Sequence, residues 1–186
     1  MGFISTILLV FLLQAAEPQR HQLDLEPLLR DSAALQKLKI LYEPPSPKSY
    51  QAFFAYGDGS LVWQAYPRRP MSLLEVPTCR SRVSPYKVEN LVSLIVQKRF
   101  FDLPEKRFLF VSVAQGKEEL ELHTIAIDDG IGKASRTFGI GEYAGKVETI
   151  PPEFSAIEQE LKQLKDSAFP PSEKTCHLAR AVNSWN

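Results

Sequence analysis

Apolar and polar positions along this chain fall into two kinds of repeat, one of period two and one of helical period. Leu38, Ile40 and Tyr42 alternate with Lys37, Lys39 and Leu41, which suits a half-buried strand because successive strand side chains point to opposite faces. Glu43-Pro44-Pro45-Ser46-Pro47 stops it, since proline donates nothing to a ladder. Two aromatic and β-branched runs follow, Tyr50-Gln51-Ala52-Phe53-Phe54-Ala55-Tyr56 and Leu61-Val62-Trp63-Gln64-Ala65-Tyr66, separated by Gly57-Asp58-Gly59-Ser60. This is the clearest hairpin signal in the sequence. Pro67-Arg68-Arg69-Pro70 breaks the second run, and residues 76–83 read as irregular.

The period then changes. Ser84 and Pro85 predict a helix start, with the hydroxyl capping free N–H groups and proline at the first helical position. Val88, Leu91, Val92 and Ile95 recur at helical spacing, and the helix should stop near Arg99. The second half repeats the order. Leu120, Leu122 and Thr124 alternate with Glu119, Glu121 and His123, and the strand runs through Ile125 and Ile127 to the turn Asp128-Asp129-Gly130. A partner strand at residues 134–140 carries Arg136 and Phe138. Pro151-Pro152-Glu153 opens a last helix with Phe154, Ile157, Leu161, Leu164 and Ala168 along one stripe. Glu158 and Lys162 read as a favourable i to i+4 pair on its wet side.

Hairpin then helix, twice, predicts an α+β domain: an antiparallel sheet built from two hairpins and covered on one face by two amphipathic helices, with a ββα-ββα pseudo-repeat as its possible plan. Residues 37–169 make up that domain. Residues 17–36 read as a linker or short helix with Pro27 at a helix start, and residues 170–186 as a loosely held tail.

The start of the chain adds an address. Residues 3–13, FISTILLVFLL, are followed by the small pair Ala15 and Ala16 and then by Glu17 and Pro18. That is the outline of an export signal, cleaved near Glu17 to leave residues 1–16 behind. The run is shorter than the roughly twenty residues a membrane-spanning helix needs, so no span is expected after processing. The expected location is secreted or periplasmic.

Charge narrows the partners. With 22 basic and 22 acidic residues the chain is neutral, whereas a dedicated nucleic-acid binder shows a basic excess or stripe. Two cysteines, Cys79 and Cys176, can form one disulfide in an oxidising compartment, or remain two free thiols.

Local matches to catalytic motifs dissolve on inspection. Gly139-Ile140-Gly141-Glu142-Tyr143-Ala144 fits G-x-G-x-x-A after a strand, yet Gly145 and Pro151-Pro152 leave no room for the helix that a dinucleotide site requires. Gly130-Ile131-Gly132-Lys133 lacks the first glycine and the Ser or Thr of a phosphate loop and reads as a turn. Asp128 and Asp129 lack calcium-loop spacing. There is no G-x-S-x-G elbow, no H-E-x-x-H and no C-x-x-C, and no cofactor or metal is expected. Glu119, Glu121 and His123 share one side of a strand and form the best catalytic cluster in the sequence, although a polar outer strand face gives the same pattern. His21 and His177 lie in loose segments, poor places for a base.

Over residues 38–169 the chain resembles an uncharacterised class of small exported bacterial domains. The resemblance rests on residues 84–95, SPYKVENLVSLI, on Phe100-Phe101-Asp102-Leu103-Pro104, and on the hairpin around Tyr56-Gly57-Asp58-Gly59. It implies an exported α+β domain with no catalytic residues to carry over. The functional expectation is therefore a non-catalytic binding or accessory module. Its partner would be an unknown protein or other macromolecule of the cell envelope, met through an open sheet edge or the aromatic hairpin with Trp63 as anchor. The alternative is a small envelope hydrolase using His123 as base with Glu119 or Glu121 as its partner.

Overall fold

The computed structural model describes residues 23–46, 49–67, 75–105, 121–143, 146–170 and 176–180. A 3-10 turn at Pro27–Arg30, opened by Pro27, leads into the one-turn helix α1 (Ser32–Leu35). Asp31 caps α1, its carboxylate accepting from the N–H groups of Ala33 and Ala34 at 2.9 and 3.1 Å. Then come β1 (Lys39–Glu43), β2 (Ser49–Tyr56), β3 (Ser60–Pro67), β4 (Glu75–Arg82) and α2 (Pro85–Gln97). A 3-10 turn at Phe100–Asp102 follows, then β5 (Glu121–Asp128), β6 (Lys133–Tyr143), β7 (Lys146–Glu148), α3 (Pro152–Ala168) and β8 (Cys176–Arg180).

The strands make one eight-stranded sheet in the order β7-β6-β5-β1-β2-β3-β4-β8. Every neighbouring pair is antiparallel. The architecture is α+β. The hairpins β2–β3 and β5–β6 are joined in the sheet by four further strands, and β1 lies between them, pairing with β2 on one side and β5 on the other. At the β2–β3 turn, Gly59 has φ 87° and a Cβ there would stand 2.3 Å from the Val83 carbonyl oxygen, so this position takes only glycine.

Three local expectations are corrected. Residues 76–83, read as irregular, lie mostly within β4, because two flanking strands supply partners: Trp63 stands opposite Cys79 on one side, and Pro77 opposite Leu178 on the other. The tail contributes β8 to the sheet edge. Ser84 does precede the proline that opens α2, but its hydroxyl makes no capping bond; its carbonyl accepts from the Lys87 N–H at 2.9 Å.

Both helices lie on one face. Leu91, Val92 and Ile95 of α2 and Phe154, Ile157, Leu161 and Leu164 of α3 are buried with Ile40, Tyr42, Phe53, Leu61, Ile125, Ile127 and Phe138 from the strands, and Val88 of α2 is fully buried too. Residues of opposite parity form a second buried cluster, Leu41, Ala52, Phe54, Val62 and Ala126. Leu41 is thus fully buried rather than on a wet face. Cross-strand pairing explains it, since Leu41 sits opposite both Phe54 and Ala126.

Candidate functional site

Three polar side chains meet inside the helix-covered core, one from each of β1, β5 and α3. The Tyr42 hydroxyl donates to Glu158 Oε1 at 2.7 Å, and His123 Nδ1 lies 2.7 Å from the same oxygen. Their residues are 0, 6 and 6% exposed for Tyr42, His123 and Glu158, so this is a closed network. The register builds it: Tyr42 pairs with Ile125, two positions along β5 from His123 on the same face. Phe138 stands opposite His123 on β6 and packs edge-on against Phe154 at 4.8 Å, walling the imidazole with rings.

Electrostatics follow from burial and from the two donors. Burial pushes the Glu158 carboxyl up, but the hydrogen bonds from His123 and Tyr42, with the charges of His123 and Lys162, outweigh it and hold the group below the usual carboxylate range. The Tyr42 hydroxyl moves far upward, because it is buried and its proton is held by Glu158. A carboxylate only accepts, so His123 carries its proton on Nδ1. Nε2, the other ring nitrogen, is buried and without a hydrogen-bond partner among the described residues.

An imidazole oriented by a carboxylate is the arrangement of a general base. Here the nitrogen that would meet a substrate is sealed. A cleft of about 500 Å³ does open elsewhere, lined by Leu23, Leu25, Ile95 and Phe100 with Asp24, Arg99 and Asp102 at its rim. His123 takes no part in it.

The sequence-derived cluster is therefore rearranged. His123 does not stand on a solvated strand face; it points under α3, as its parity with Ile125 and Ile127 required. Its carboxylate partner is Glu158. Glu121 is exposed at the start of β5, and Glu119 lies outside the described residues. Glu158 does not sit on the wet side of its helix. It lies one turn from Phe154 and one from Leu161, inside the apolar stripe, and that spacing was the sequence signal for it.

The other candidates separate. Trp63 is half-buried on the helix-covered face, its ring 6.2 Å from that of Phe169 and 5.8 Å from Lys165 Nζ, so it packs rather than projects. Cys79 and Cys176 stand opposite each other in β4 and β8, with Cα atoms 4.2 Å apart, and are joined as a disulfide. His177 is exposed on β8, and His21 lies outside the described residues. The G-x-G segment stays in strand through Tyr143, and Asp129 Oδ1 holds the β5–β6 turn by accepting from Ile131 and Gly132 N–H groups. No group of three or more metal-ligating residues occurs among the described residues, nor does any helix long and apolar enough to cross a membrane.

Comparison with known protein families, with characterised proteins and with solved structures finds no match to this chain.

Proposed function

We propose that this protein is an exported, non-catalytic binding or accessory module that meets a macromolecule of the cell envelope through its sheet edge. One observation carries the reading: the histidine best placed for catalysis has its Nε2 sealed in the core and its Nδ1 bonded to a buried carboxylate. A base in that position reaches no substrate proton. The Cys79–Cys176 bond supports export, because disulfides persist in oxidising compartments. The edge strand β8 supports binding by strand addition, with Leu178 at its centre 68% exposed. The export signal itself, residues 1–16, lies outside the described residues. Strands followed by a helix in each half support a ββα-ββα pseudo-repeat as its plan.

A photo-crosslinking residue placed at Leu178 of the exported full chain tests this. Adducts with envelope macromolecules are expected there and not from the same residue at Lys162, on the wet side of α3. Absence of adducts at Leu178, or turnover in a panel of ester, peptide, phosphoester and glycoside substrates that His123→Gln abolishes with the fold intact, overturns the reading.

A further inference from the structure

The Cys79–Cys176 bond joins two unlike positions. Cys79 is 3% exposed beside Trp63, whereas Cys176 is an exposed residue at the start of the edge strand. Strand β8 has five residues and, among the described residues, pairs with β4 alone. Cys176, His177 and Leu178 are all exposed and Ala179 is half-buried. A segment with few buried apolar contacts sits at the low end of local stability. Among the described residues, the ladder to β4 and one covalent bond hold it.

The pairing of β4 is split along its length. Thr78 to Arg82 pair with β3, while Glu75 to Cys79 pair with β8, so Glu75, Val76 and Pro77 take their ladder partners from β8. Loss of β8 therefore changes the sheet edge without touching the central strands that carry the core.

We propose that the disulfide is a redox latch, and that its reduction by a dithiol releases β8 and presents β4 as the new sheet edge. The thiolate of the dithiol attacks the sulfur of exposed Cys176. A mixed disulfide forms there as the bond to Cys79 breaks, and Cys79 leaves as a thiolate that takes up a proton. The second thiol of the reductant then attacks the mixed disulfide, closing the reductant's own disulfide and freeing Cys176 as a thiol. The protein gains two electrons and two protons, and the dithiol loses them. The latch stands independently of the binding reading, since it concerns which strand lies at the edge rather than what meets it.

Hydrogen exchange of the full chain, oxidised and then treated with dithiothreitol, tests the proposal. Amides of Glu75, Val76 and residues 176–180 should lose protection at least about tenfold on reduction, while those of β1, β5 and α3 keep theirs. Unchanged protection in β8 overturns it. So does loss of protection in α3 and β5 together with β8, which would make the bond a staple of the whole domain. Cys176→Ser should show the reduced pattern without reductant, and a protected β8 in that variant counts against the latch. Brief exposure to glutathione followed by alkylation should place the first mixed disulfide on Cys176; finding it on Cys79 refutes the order of attack.

Discussion

Glu158→Ala removes the single acceptor on which Tyr42 and His123 converge. Both donors remain buried, Tyr42 at 0% and His123 at 6% exposure, with their 2.7 Å bonds gone. Each orphaned donor costs about 1–3 kcal/mol. Losing the stem that packs between Phe154 and Leu161 adds to this, while relief from burying a carboxylate offsets part of it. The expected loss is about 3 kcal/mol. Glu158→Gln keeps one oxygen able to accept and should lose about half as much. Gln163→Ala, on the exposed side of the same helix, should stay within about 0.5 kcal/mol. Urea unfolding followed by far-UV circular dichroism reads all three as midpoint shifts at constant slope. The same series carries a pH signature. The folded-state pKa of Glu158 lies below its ordinary value of 4.5, so its contribution is present above that value and fades as pH falls through the lower folded one. Glu158→Gln should flatten the acid limb of the stability curve. A Glu158→Ala midpoint equal to that of Gln163→Ala would show that the network contributes nothing to the fold.

Two further outcomes follow from half-buried polar groups. Burial raises the Glu43 carboxyl to about 7; a raised acid favours the fold below its unfolded pKa and loses that advantage as pH rises through the folded one, so stability should decline between about pH 4.5 and 7. Glu43→Gln should remove that decline in thermal melts taken across the range, and parallel curves for the two proteins would refute the burial argument. Arg136 donates from Nε to the Leu103 carbonyl and from a terminal nitrogen to the Phe101 carbonyl, both at 2.6 Å, tying β6 to the turn after α2. Arg136→Lys, which keeps the charge but loses the planar fork, should cost about 1–2 kcal/mol in urea unfolding, and a silent variant would show that the fork does not hold the turn.

Much of this protein was legible in its amino-acid order. Period-two runs gave the β2–β3 and β5–β6 hairpins, and helical spacing gave the buried stripes of α2 and α3, because side-chain direction is a local property of the backbone. Strands β4 and β8 were not legible, since Pro77 and a short polar tail carry no strand signal alone and become strands only when a neighbour supplies a ladder. Which side of a strand is wet was decided by the sheet. Leu41 is buried because Phe54 and Ala126 arrive beside it from distant sequence, and His123 is buried because α3 crosses above it. The network of Tyr42, His123 and Glu158 joins residues up to 116 positions apart. Parity and helical phase determined that each faced the core, but only the tertiary packing could choose which polar group met which, because a buried donor is satisfied by whatever acceptor the fold carries to it.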